Sequence, residues 1–186
     1  MSLRSRGLAF VTVLAAGAPG ACRSKPAEPD IPALMAAFKS PDPEVNGRAM
    51  PELIRIGEPV VPALSDALKD ADAKVRARAA SALWGMGPAA HASVPALAGA
   101  LSDSDDDVKA GAVMALGNIG PEAVAAVPNL IRALEEGDGN LRMQAAKALG
   151  AIGPGARAAV PALTRALKHD FLRGTAQAAL GRIQGG

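Results

Sequence analysis

The sequence predicts an all-α fold, an array of stacked helix pairs, on three observations. Val61, Val94, Val127 and Val160 each open a Val-Pro segment and lie 33 residues apart, and a fixed period of that size marks an architecture built from stacking units. Aromatic residues make up only 2% of a chain that is 49% hydrophobic, with no Tyr and a single Trp. A core of Leu, Ile, Val and Ala suits closely spaced helices better than a sheet, which draws on aromatic and β-branched pairs. Each period also carries the same punctuation in the same order: a proline, an acidic turn, an Ala-rich segment and a glycine stop.

The chain opens with MSLRSRGLAFVTVLAAGAPGAC, which places Arg4 and Arg6 before an apolar run from Leu8 to Ala18 and small residues after it. That run is too short to span a bilayer, which needs about 20 residues, and its order is that of an export signal, expected over residues 1–21. The only cysteine, Cys22, stands where a bacterial lipoprotein signal puts the residue that receives the lipid. The stretch resembles the lipobox: Gly20 and Ala21 fit its two small positions, while Pro19 stands where Leu is usual. The resemblance implies lipidation at Cys22 and a membrane-anchored lipoprotein of the bacterial cell envelope, held by several acyl chains because one binds weakly. An ordinary secretory signal with an incidental cysteine, giving a soluble periplasmic or secreted protein, is the other reading. Residues 22–29, polar and proline-containing, read as a tether.

The folded body is expected over residues 30–186, as five repeats: 31–60, 61–93, 94–126, 127–159 and 160–186. Pro32, Pro62, Pro95, Pro128 and Pro161 are tolerated only in a first turn, where no intrahelical N–H partner is lost, so they mark the first helix of each pair. The apolar face of that helix is Leu64 with Leu68, and its counterparts Leu97 with Leu101, Leu130 with Leu134 and Leu163 with Leu167. Asp42, Asp72, Asp105 and Asp138 share one repeat position, where a carboxylate accepts from free N–H groups and caps the second helix. Gly57, Gly87, Gly120 and Gly153 then end it. The first repeat is three residues shorter than the three that follow it and carries Gly47 and Pro51 inside its second helix. An interior proline costs about 3 kcal/mol, which predicts a kink or shortening there. A degenerate terminal unit is what an array needs as a cap.

The stretch DGNLRMQAAKALGAIGP, residues 138–154, resembles HEAT-like repeats of the phycobilisome-lyase type, and the likeness covers Asp30 to about Ile183. The resemblance implies a right-handed α-solenoid with second helices lining the concave side. It also implies a non-enzymatic docking scaffold, with a bilin lyase or an accessory subunit of one as the alternative; an export signal fits poorly with work on cytoplasmic pigment proteins.

Enzymatic and metal chemistry finds little footing. His91 and His169 fall in turns of different repeats and neither has a Glu beside it, unlike the His-Glu pairs of hydroxylases built on HEAT-like repeats. No Ser/His/Asp grouping recurs, and the glycine stops fall at helix C-termini, whose negative dipole end repels phosphate. The run Asp103, Asp105, Asp106, Asp107 reads as a cap and a charged turn rather than a calcium loop. No cofactor is called for. Of the 20 basic residues, Arg4 and Arg6 go with the leader, leaving 18 against 18 acidic ones. That balance argues against nucleic-acid binding through many uncompensated phosphate contacts and leaves a protein partner, with the chain itself expected as a monomer.

Counted from the start of each second helix, ten basic side chains are expected there, Arg48, Arg55, Lys74, Arg76, Arg78, Lys109, Arg142, Lys147, Arg173 and Arg182, opposed only by Glu52. Arg76, Lys109, Arg142 and Arg173 recur one residue after an apolar position and are expected to pair with the cap aspartates as a ladder. Positions that vary between repeats form the expected partner-binding face: Arg78, Ser81, Trp84, Met114, Asn118, Gln144, Lys147 and Arg182, suited to an acidic or extended protein segment. Trp84 stands where Gly117, Gly150 and Gly181 recur. It either fills a gap left by the small first repeat or points outward as an aromatic anchor.

Overall fold

The computed structural model describes residues 29–185; the leader, Cys22 and all of the 22–29 tether except Pro29 lie outside the described residues. Ten α-helices follow in pairs: α1 (Ile31–Phe38) and α2 (Pro43–Ile56), α3 (Val61–Ala67) and α4 (Ala73–Met86), α5 (Val94–Ala100) and α6 (Asp106–Ile119), α7 (Val127–Glu136) and α8 (Gly139–Ile152), α9 (Val160–Ala166) and α10 (Asp170–Gln184). A 3₁₀ segment of three residues at Glu58–Val60 and segments of seven at Gly87–Ser93, Gly120–Ala126 and Gly153–Ala159 join one pair to the next. No strand occurs among the described residues. The architecture is a right-handed α-solenoid of five helix pairs.

Each boundary has a local cause. The second helices α2, α4, α6 and α8 begin one residue after Asp42, Asp72, Asp105 and Asp138, whose side chains accept from backbone N–H groups of the first turn; Asp105 accepts two, from Asp107 and Val108. They end at Gly57, Gly87, Gly120 and Gly153, all with φ between 56° and 79°, a left-handed region that glycine enters without a Cβ penalty. The fifth pair lacks this cap: His169 precedes α10 and its ring makes no capping bond. These starts correct the expected charge pattern. Because the helices begin directly after the cap, Glu44, Asp106, Asp107 and Asp170 also lie inside them, so Glu52 is not the sole opposing acid.

The expected shortening at Pro51 is absent. Helix α2 has 14 residues, as many as α4, α6 and α8. Pro51 and Gly47, four residues earlier, are both exposed, so the Gly47 carbonyl that loses its donor faces solvent rather than a dry interior.

Packing runs along the array in two rows. The second helices stack α4 on α6, α6 on α8 and α8 on α10, while the first helices α3, α5, α7 and α9 form a looser row behind them. The core carries the period in its side chains: Leu64, Leu97, Leu130 and Leu163 from the first helices and Leu83, Leu116 and Leu149 from the second are fully buried. Small residues set the spacing of the second row. A Cβ added at Gly111 would lie 2.8 Å from the Ala80 Cβ, and one at Gly150 would lie 2.9 Å from the Ala179 Cα. At the junction of the first two repeats the roles reverse, because the Ile54 Cδ1 of α2 comes within 2.9 Å of where a Gly85 Cβ would stand.

Candidate functional site

The stacked second helices present a groove of about 440 Å³ that runs across α4, α6, α8 and α10. Trp84 stands at one end, Met114 and Asn118 of α6 follow, then Gln144 and Lys147 of α8, and Arg182 of α10 closes the other end. Gly117, Ala148 and Ala151 also line it, so a floor without long side chains lets the row bend into a hollow. A smaller cavity of about 270 Å³ continues past it between α8 and α10, over Gly150, Gly174, Thr175 and Ala178, and shares Lys147 and Arg182 with the first. Anything seated in either hollow meets those two cations.

Six of the eight residues expected on a partner-binding face therefore meet around one cavity: Trp84, Met114, Asn118, Gln144, Lys147 and Arg182. Ser81 is exposed but lies outside the lining. Arg78 is diverted to the first repeat. Its guanidinium donates to the Ser40 carbonyl at 3.0 Å and to the Lys74 carbonyl at 3.2 Å, and it lies 5.8 Å from the centre of the Phe38 ring. That side chain thus joins two units instead of facing the groove.

Trp84 takes the outward arrangement and is 45% exposed. The gap-filling alternative does not occur because Ile54 already packs against Gly85. Met114 beside it is 37% exposed, so this end of the groove is apolar surface in contact with water. The Asn118 amide donates to the Trp84 carbonyl at 2.7 Å, tying α6 to the last turn of α4 and leaving its own oxygen as an acceptor in the groove.

The cations divide by location. In the second helices Arg48 pairs with Glu44, Arg55 with Glu52, Lys109 with Asp106 and Arg173 with Asp170. Lys147 and Arg182 have no ion-pair partner among the described residues, and no carboxylate lines the groove.

The expected ladder to the cap aspartates does not form, and each of the four side chains finds its own partner. Arg76 forms a two-point pair with Asp103 of the next repeat, Nε and Nη2 each at 2.8 Å from a carboxylate oxygen, and also donates to the Asp70 and Ala71 carbonyls. Arg142 turns to the Leu134 carbonyl and the Phe171 ring, Lys109 to Asp106, and Arg173 to Asp170 and the Leu167 carbonyl. The caps stay on backbone N–H groups, while the carboxylate two residues earlier is better placed for the arginine. The hydrogen bond from Arg76 holds the Asp103 carboxyl below its ordinary range, against a smaller opposing effect of burial. Of the acidic run, Asp103 is thus engaged with Arg76, Asp105 with its helix and Asp106 with Lys109.

A stack of helix pairs with a cavity across its second-helix row defines an α-solenoid whose largest hollow here is lined by several units. The chain belongs to the HEAT-repeat family, whose pattern it matches over residues 15–84, 31–117 and 94–181. A comparison with curated proteins gives no match. Among solved structures the chain is similar to the complex of CpcE and CpcF of phycocyanin lyase from Nostoc sp. PCC7120, with a TM-score of 0.67, 23% identity and cover of 92% of this chain and 71% of that one. It is also similar to an engineered protein, with a TM-score of 0.65, 24% identity and cover of 86% and 81%. A computationally designed armadillo repeat protein for modular peptide recognition aligns with a TM-score of 0.61, 19% identity and cover of 84% and 83%. At these identities the likeness is one of fold.

Proposed function

We propose that this chain is a non-enzymatic scaffold that holds a segment of a partner protein in the second-helix groove. The observation that carries the reading is the groove itself: exposed Trp84 and Met114 at one end, Lys147 and Arg182 without a carboxylate at the other. Trp and Arg, both present around this hollow, are among the residues enriched at binding hot spots, and peptide recognition by the designed armadillo protein supports the reading by analogy of fold. The order of the leader and the position of Cys22 support an exported, lipid-anchored chain of the bacterial envelope. The bilin-lyase alternative is supported by the fold likeness to the phycocyanin lyase complex.

Affinity capture from the native membrane fraction tests both parts. The wild-type chain is expected to retain a protein that the K147E/R182E double variant releases, and equal retention by both overturns the groove as the binding face. Cys22→Ala is expected to move the chain from the membrane to the soluble fraction. Added bilin is expected to leave the absorption spectrum of the mixture equal to the sum of its parts; a new or shifted band would favour the lyase reading.

A further inference from the structure

The groove is not uniform along its length, and its polarity says what an occupant looks like. At the α4 and α6 end the accessible surface is apolar, from Trp84 and Met114. At the α8 and α10 end it is cationic, from Lys147 and Arg182, with both cavities opening onto that pair. Between them stand two amides, the Asn118 oxygen left over from the bond to Trp84 and Gln144, whose side chain makes no hydrogen bond among the described residues. Amides in mid-groove suit a ligand with unpaired main-chain groups. An extended segment has them, whereas a helix pairs its own.

Resting on the scaffold reading above, we propose that the groove takes an extended protein segment in one register: an apolar or aromatic side chain over Trp84 and Met114, and an acidic side chain at Lys147 and Arg182. Neighbouring helices pack about 8–10 Å apart. Two to three such steps separate the two ends, roughly 16–30 Å, and an extended chain rises about 3.3 Å per residue. The acidic residue therefore falls about five to nine positions from the apolar one. Charge complementarity sets the sign at one end and desolvation of Trp84 supplies the anchor at the other.

A displayed library of random 12-residue peptides, panned on the purified chain, reads this directly. Enriched peptides are expected to hold an apolar or aromatic residue and an Asp or Glu at that spacing. Synthetic copies are expected to shift the emission of the sole Trp and to lose at least tenfold in affinity to K147E/R182E and several-fold to Trp84→Ala. Panning on K147E/R182E is expected to replace the acid by Lys or Arg at the same spacing. Both variants change exposed side chains, and an unaltered helical circular dichroism spectrum and melting temperature verify that they fold. Peptides that lack the spaced acid yet lose binding in both variants would overturn the register while leaving the groove as a binding site. Peptides indifferent to both variants, or no enrichment at all, would overturn both.

Discussion

Where α8 meets α10, on the inner row, a methyl group at Gly150 would stand 2.9 Å from the Ala179 Cα; where α7 meets α9, on the outer row, one repeat reaches the next through an exposed pair of Arg165 with Glu135. The same contrast recurs along the array. Gly111 lies against Ala80, and Gly117 against Ala148. The outer row is bridged instead by Lys39 to Asp70, Arg132 to the Ser102 hydroxyl and Asn129 to the Ala98 carbonyl. Close backbone approach fixes the inner row to fractions of an ångström, whereas long solvated side chains tolerate a shift. A groove built on the first kind of contact holds Trp84, Lys147 and Arg182 at fixed separations, which is what recognition in a single register requires.

The contrast breaks most visibly at Gly150. Ala there must push α10 away, and overpacking of this kind costs about 1–3 kcal/mol, reduced by the roughly 0.5–1 kcal/mol that Ala gains over Gly in a helix. Gly150→Ala is expected to lower the denaturant midpoint clearly. Gly117→Ala, with 3.4 Å of room, is expected to change it little. Gly181 occupies the same repeat position at the end of the array with nothing within 4 Å, so Gly181→Ala should raise the midpoint. Equal effects at the three sites would mean that close packing does not set the inner row.

The link between rows at Arg76 and Asp103 sharpens the comparison, since these side chains are only 14% and 13% exposed. Asp103→Asn keeps an acceptor for the Asp105 N–H and removes the charge. The carboxyl titrates below its ordinary range in the folded chain, so the unfolded chain takes up the proton first as pH falls, and the pair stabilises fully only above that range. The advantage of wild type over Asp103→Asn is therefore expected to be complete near pH 6 and to shrink below about pH 4. A difference that stays constant to acid pH would show that the charge contributes nothing. Smaller again is the cap: Asp105→Ala frees two N–H groups on the turn between rows and should cost about 1 kcal/mol by equilibrium unfolding.

Period, caps and glycine stops were legible in the residues because each acts within a few positions of itself: Asp138 needs only its own first turn, and Gly153 only its own φ. The Leu64 and Leu83 series were legible because the period repeats them. What sequence order could not supply were choices between near-equal partners. Whether Arg76 meets Asp105 or Asp103 depends on the offset of the following repeat, and the reach of Arg78 to Ser40 crosses 38 positions of chain. Pro51 misled because the general cost of a proline in mid-helix says nothing of which side of the helix it stands on, and its side of α2 faces water. For the groove, variation between repeats picked out six lining residues, but the diversion of Arg78 to Ser40 and the freedom of Lys147 from any carboxylate are properties of the folded array.

The smallest effect is expected on the outer row, and it bears on the comparison most directly. The Arg165 and Glu135 side chains are 63% and 40% exposed, so their attraction is screened by water and salt and offset by the ordering of two long side chains. Arg165→Ala should change stability by about 0.5 kcal/mol or less, and less still in molar salt, while leaving peptide affinity at the groove unchanged. Should Arg165→Ala destabilise as much as Gly150→Ala, or weaken binding at Lys147, the outer row would be setting the curvature, and the division of labour between the rows would fail.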